Sequence, residues 1–200
     1  MEIIKGIKNL NSDWDGAVLS IGNFDGVHLA HKNICAKLKE KSKSEKLSSV
    51  ILTFDPHPLS IVAPERCPSL MTTLSEKIRR LENEEVDLMV VEPFTKELSN
   101  FSPEEFVATY ISNGIKAKHV LVGYNFHFGR NREGDIEYLK MLGENSDFFV
   151  EVLDPFTFQG KIVSSTEIRK MLSSGSVAEA STLLGTRHSL EGLVEKGDGR

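Results

Sequence analysis

Cysteine is scarce in this chain. Its 200 residues hold two, Cys35 and Cys67, with no metal-ligand spacing between them, which argues against a disulfide framework and fits a reducing compartment. Positive charge is also short: 24 Lys and Arg face 29 Asp and Glu, a formal net charge of −5. That balance speaks against nonspecific nucleic-acid binding and against polybasic attachment to a membrane. No uninterrupted apolar run approaches the roughly 20 residues of a membrane span. The segment Met1-Glu2-Ile3-Ile4-Lys5 lacks the apolar region of a signal peptide. There is no repeat, and the one biased tract, Lys37 to Lys46 (KLKEKSKSEK), reads as the solvated end of a helix. Two common nucleotide loops, G-x-G-x-x-G and Walker A, are missing, so hydride transfer and P-loop chemistry lose support. So does a zincin site, which needs His-Glu-x-x-His.

What is present is a composition close to that of soluble globular proteins, 40% hydrophobic and 26% charged. A chain of this length buries roughly 70% of its unfolded surface without staples. The expectation is a soluble, cytoplasmic, single-domain protein with no nucleic-acid or membrane partner; its oligomeric state stays open. Short apolar runs, Ala17 to Gly22, Ser49 to Phe54, Leu88 to Val91, His119 to Val122 and Phe148 to Leu153, read as buried strands. Helical spacing fills the intervals: Ile34 and Leu38; Leu74, Ile78 and Leu81; Phe106 and Tyr110. Ser102-Pro103-Glu104-Glu105 reads as a helix start. Such alternation predicts an α/β fold with a central parallel sheet flanked by helices. Ligands in these folds bind beyond the carboxyl ends of the strands.

The residues after each strand therefore carry the functional reading. Gly22-Asn23-Phe24-Asp25-Gly26-Val27-His28-Leu29-Ala30-His31 follows the first. Asp25 is expected to cap the next helix, with His28 and His31 sharing a face of its first turn and Val27, Ala30, Ile34 and Leu38 forming the apolar stripe beside them. A helix N-terminus with two imidazoles suits a phosphate; packing explains an isolated histidine pair equally well. Asp55-Pro56-His57-Pro58 follows the second strand, and its prolines should hold the chain extended around the imidazole. The loop Val122 to Gly134 (VGYNFHFGRNREG) sets aromatics beside arginines, a combination fit for a planar phosphorylated ligand. The alternative is a surface loop with Phe126 and Phe128 tucked into the core. After a short hairpin, Ser164-Ser165-Thr166-Glu167-Ile168-Arg169 opens another helix, a second anion cradle of hydroxyls, free amides and a guanidinium.

GNFDGVHLAH, TFDPHP, VGYNFHFGRNREGD and SSTEIRKML, in that order, resemble the N-terminal module of the prokaryotic bifunctional riboflavin kinase/FMN adenylyltransferase family, also called FAD synthetase. The resemblance covers nearly the whole chain. It implies a Rossmann-like nucleotidyltransferase domain, with ATP and FMN as substrates, Mg2+ as cofactor, and FAD and pyrophosphate as products. By resemblance, His28, His31 and Arg169 are the catalytic candidates. ATP would be held by Gly22, Asn23, Phe24, Asp25, His28, His31, Ser164, Ser165, Thr166 and Arg169. FMN would be held by Asp55, His57, Pro58, Asn125, Phe126, Phe128 and Arg130. No metal ligands are assigned. Two positions depart from the family pattern: Ala30 stands where glycine is usual, and Asn125 where aspartate is common.

The family's module is followed by a β-barrel that phosphorylates riboflavin. The resemblance divides this chain into an adenylyltransferase domain, 1–184, and an incomplete β stub, 185–200, the truncated start of a riboflavin kinase-like domain. No riboflavin kinase activity is expected of it. Two rival readings are an adenylyltransferase for another phosphorylated acceptor, such as phosphopantetheine, and a non-catalytic flavin or adenine nucleotide-binding module.

Overall fold

The computed structural model describes residues 1–11, 16–192, 194, 195 and 197. Six strands form one parallel sheet: β1 (Glu2–Lys5), β2 (Ala17–Ile21), β3 (Ser48–Asp55), β4 (Leu88–Pro93), β5 (Ala117–Gly123) and β6 (Phe149–Leu153), in the order β1-β4-β3-β2-β5-β6. Between them run α1 (Leu29–Glu45), α2 (Pro58–Val62), α3 (Leu74–Glu82), α4 (Lys96–Ser99), α5 (Pro103–Phe106) and α6 (Ile136–Ser146). A two-stranded hairpin, β7 (Thr157–Phe158) with β8 (Lys161–Ile162), leads into α7 (Ser165–Ser173) and α8 (Val177–Leu184). The expected parallel α/β architecture is what forms.

The inner strands read as continuous apolar runs because helices cover both faces. Val18, Ile51, Met89 and Leu121 point to one face and pack with Cys35 and Leu38 of α1 and Leu81 of α3. Their neighbours Leu19, Val50, Leu52, Val90 and Val120 point to the other, against Phe106, Tyr110, Ile111 and Leu139. A third cluster joins α7 and α8 to Met71 and to Leu29 and Ala30 of α1. β2 pairs with β3 on one side and β5 on the other, so the strand order reverses there. That reversal opens the crevice where open α/β sheets bind ligands.

Several local expectations change. β1 was not legible: four residues at a sheet edge, half-buried, show no clear period. Ser102 and Glu105 do form a reciprocal capping box. The helix they start widens after Phe106 into a π-helical stretch, Val107–Gly114, closed by the Ile115 N–H on the Tyr110 carbonyl. Val27, Ile34 and Leu38 share one cluster, but Ala30 turns to the α7–α8 cluster. Pro58 does not extend the chain; it opens α2 at its first position, where a missing N–H costs nothing. The described residues between 187 and 197 carry no strand. Leu193, Lys196 and Asp198-Gly199-Arg200, also part of the expected stub, lie outside the described residues.

Candidate active site

The turn after β2 is built around Asp25, which is buried. Its carboxylate does not cap α1. Instead Oδ1 accepts from the amides of Met71 and Thr72 (3.0 and 3.1 Å) and from the Thr72 hydroxyl at 3.1 Å. Oδ2 accepts from Arg169 Nη2 at 2.6 Å. A buried carboxylate with this many donors is better served across the fold than by one helix amide. Arg169 also donates Nε–H to the Ser69 carbonyl at 3.0 Å. The guanidinium thus ties α7 to the 69–72 segment and to the β2–α1 turn.

The cap of α1 is His28. Its Nδ1 accepts the His31 amide proton at 3.4 Å, and its Nε2 lies 3.1 Å from the Ser165 hydroxyl. Because Nδ1 accepts, the neutral ring carries its proton on Nε2 and donates it to Ser165; Ser165 in turn donates to the Asp25 carbonyl at 3.3 Å. The His28 and His31 rings stack, centroids 3.6 Å apart. His31 Nδ1 is buried without a hydrogen-bond partner. Burial pushes His28 down from 6.5 to about 4, with Asp25 opposing, and burial and the neighbouring His28 hold His31 well below its ordinary value. His57 is lowered too, by burial and then by Arg169. Burial thus favours the neutral form of all three imidazoles, and on the cleft side of the turn a fixed positive charge comes from Arg169. Lys77, also buried, has its pKa lowered by burial against the pull of Asp25 and Asp55.

Asp25, His28, His31, His57, Ser165 and Arg169 line a cleft of about 640 Å³ at the carboxyl ends of β2 and β5. Two helix N-termini meet in it, α1 capped by His28 and α7 capped by Ser164, which accepts the Glu167 amide proton at 3.2 Å. Amide-rich helix starts beside a guanidinium form an anion cradle. The cleft is also lined by Tyr124 and Phe156, by the Asn125 amide and by Arg132, aromatic, amide and cationic groups suited to a planar phosphorylated ligand.

The family model for FAD synthetase matches residues 10–167. The chain belongs to the FAD synthetase family. It is 34% identical over 198 residues to a bifunctional riboflavin kinase/FMN adenylyltransferase of Buchnera aphidicola, covering 99% of this chain and 63% of the relative. The Escherichia coli K12 protein of the same name is 33% identical over 199 residues, 99% of this chain and 64% of that one. The chain therefore spans just under two thirds of the length of these curated relatives. A solved structure described as a macrolide-efflux protein from Streptococcus pneumoniae superposes with a TM-score of 0.79 at 26% identity, covering 93% of this chain and 60% of the other. Among the described residues no helix is long and apolar enough to cross a membrane.

Within this FAD synthetase fold the sequence candidates separate into two groups. Asn23, Phe24, Asp25, His28, His31, His57, Asn125, Ser164, Ser165, Thr166 and Arg169 all line the cleft. His57 does so as the cap of α2, its Nδ1 accepting from Leu59 at 3.2 Å and its Nε2 3.2 Å from the Asn23 side-chain amide. Gly22, Asp55, Pro58, Phe126, Phe128 and Arg130 do not line it. Gly22 lies behind the Phe24 ring, where a Cβ would approach to 3.2 Å. Phe128 is buried against Phe106, and Phe126 stacks on Phe128, so the core alternative describes this pair. Arg130 donates its backbone N–H to the Phe101 carbonyl and ion-pairs Glu133 at 3.6 Å. Residues that sequence reasoning did not place in the site are Asn33, Arg66, Tyr124, Arg132, Asp154 and Phe156. Arg132 and Tyr124 stood in a loop already suspected; the others follow no motif and come to the cleft only through the chain's path.

Proposed function

We propose that the chain transfers the adenylyl group of ATP to FMN, giving FAD and pyrophosphate. The observation that carries this reading is the meeting of two capped helix N-termini, joined by His28 and Ser165 and charged by Arg169, at the strand-order reversal of a FAD synthetase fold. One FMN phosphate oxygen, already anionic, attacks the α-phosphorus in line. A new P–O bond forms as the bond to the β-phosphate's bridging oxygen breaks, and that electron pair leaves with pyrophosphate. No proton transfer is needed at the attacking atom, so the protein's part is orientation and charge stabilisation. His28 and His31, both lining the cleft, would hold the phosphates near the reacting phosphorus. Ser164, Ser165, Thr166 and Arg169 would hold the departing phosphates. Asn125, His57 and the aromatic wall would take the flavin nucleotide, while Phe126, Phe128 and Arg130 would shape its loop from behind.

Magnesium enters as an ion brought on the nucleotide's phosphates, which it neutralises when bound. Among the described residues no three His, Cys, Asp or Glu side chains come together as a cation site, and both Asp25 oxygens are already engaged. We place residues 1–184 in the catalytic module, which ends with α8, and read 185–200 as the start of a second domain. The two unpaired thiols suit a reducing, cytoplasmic setting.

Incubating the purified chain with FMN, ATP and magnesium should yield equal amounts of FAD and pyrophosphate. Adenylylation of phosphopantetheine but not of FMN would move the reading to another acceptor, and nucleotide binding without turnover would reduce it to a binding module.

A further inference from the structure

The turn that delivers His28 is strained. Phe24, Gly26 and Val27 take φ of 49°, 82° and 42°, and a β-branched residue such as Val27 is a genuine outlier in that region. Such conformations persist only where surrounding contacts hold them. Two groups hold Gly26: its N–H donates to the Thr72 hydroxyl at 3.1 Å, and its carbonyl accepts from Arg80 Nη1 at 3.0 Å. Arg80 is 8% exposed and reaches the turn from α3, on the side away from the cleft. Its Nε donates to Glu76 Oε1 at 2.7 Å and its Nη2 to the Ser189 hydroxyl at 3.3 Å, so each arm of the fork is occupied. Arg79 also donates to Glu76, from the exposed face of α3, and among the described residues it makes no hydrogen bond to the turn.

We propose that Arg80 is a positioning residue for adenylyl transfer, clamping the strained Gly26–Val27 turn so that His28 faces the reacting phosphate. This rests on the proposed function, and it adds a residue outside the cleft and outside every motif that pointed to the site. A planar guanidinium suits the task because three acceptors in fixed directions need a rigid fork; a lysine offers one mobile charge. The pair with Glu76 fixes the fork: hydrogen bonds from Arg79 and Arg80 hold that carboxyl down at about 2, so it stays ionised. Ser189 links the clamp to the segment after α8.

The test compares Arg80→Met, Arg80→Lys and the control Arg79→Met in the full chain. It reads kcat and KM for FAD formation, thermal unfolding, and the His28 imidazole titration by NMR. His31, Asp25, Arg169 and Ser165 face that ring, and none of them is altered. The expectation is that both Arg80 variants unfold cooperatively but lose kcat by about tenfold or more, as misplacement of a reacting group does. The KM for FMN should be unchanged, and the His28 titration should move up toward the ordinary value as the turn admits water. Arg79→Met, which leaves the Arg80 bonds to Glu76 and to Gly26 in place, should keep the parent's kcat and His28 titration while lowering the unfolding temperature, since Glu76 loses the donors that Arg79 supplies. If Arg80→Met does not fold, Arg80→Lys carries the comparison. A lowered unfolding temperature with unchanged kcat and unchanged His28 titration would overturn the proposal, leaving Arg80 merely structural. A parent chain that makes no FAD would instead sink the functional reading, and the His28 titration alone would then decide the clamp.

Discussion

Arg169 Nη2 lies 2.6 Å from Asp25 Oδ2 although 144 residues separate the two in sequence. The pair joins the first and last motifs of the site, and it changes what each does. Asp25 is a buried anchor for three segments rather than a helix cap. Arg169 is a cation whose direction is set before any phosphate arrives, with part of its hydrogen-bonding capacity already used by Asp25 and Ser69.

Removing one partner should therefore cost more than charge. Arg169→Ala leaves a buried carboxylate short of a donor, and we expect a loss of about 3 kcal/mol in stability together with a fall in FAD formation of about tenfold or more. Asp25→Asn combined with Arg169→Met should regain much of the stability but none of the activity. Urea denaturation and initial rates on the same preparations separate the two effects. Additive losses in the double variant would mean that the pair is not coupled.

Gly26 should not accept a side chain. Its φ is +82°, and a Cβ would approach Met71 Cε to 2.8 Å and Leu184 Cδ2 to 3.2 Å. Gly26→Ala is expected to destabilise by about 1–3 kcal/mol and to reduce turnover below the unfolding transition. A denaturation midpoint equal to the parent's would contradict the strain assigned to this turn.

The acid limb of stability should carry the site's signature. His28 falls from 6.5 to about 4 on burial, so between those values the unfolded chain binds the proton and the folded chain does not. The contribution is fully present above the unfolded value and fades as pH drops toward 4; His31 and His57 act in the same direction. For His28 it amounts to about 3 kcal/mol. His28→Gln should give a shallower acid limb in denaturation experiments. An anionic nucleotide against the ring raises the histidine pKa, so binding below neutrality should take up protons. Calorimetry in buffers of different ionisation enthalpy reads that uptake, and its absence would remove the phosphates from His28.

The two thiols should differ sharply. Cys35 is buried against the sheet and its pKa is pushed up to about 12 by burial, whereas Cys67 is half-buried with Sγ 4.0 Å from His57 Nδ1. A thiol-specific chromogenic disulfide should titrate one thiol in the native chain and both in denaturant. Mass spectrometry should find the native adduct on Cys67; a Cys35 adduct would mean that α1 opens under native conditions.

The sheet was largely readable because inner parallel strands are apolar on both faces and stand out as runs, as Ser49 to Phe54 does. Motif residues near strand ends were readable because topology puts strand ends at the crevice: Asn125 follows β5 closely and His28 stands in the turn after β2, while Ser164 was readable as a helix cap. β1 escaped because it offers only Ile3 and Ile4, one to each face, and at the sheet edge both stay half-buried. Phe126 and Phe128 show the limit of composition. An aromatic in a loop can serve a ligand or the core, and the register of the loop against Phe106 decides for the core.

The sequence by itself determined the parallel α/β class, the order of the four motifs, and the helix starts at Ser102 and Ser164, because periodicity and capping chemistry are local. Only the tertiary structure decided what Asp25 does and that Arg80 braces the turn between Asp25 and His28. These are contacts between groups 46 to 144 residues apart. They are set by where β2, α3 and α7 converge once the hydrophobic faces are buried, and no local spacing encodes that convergence.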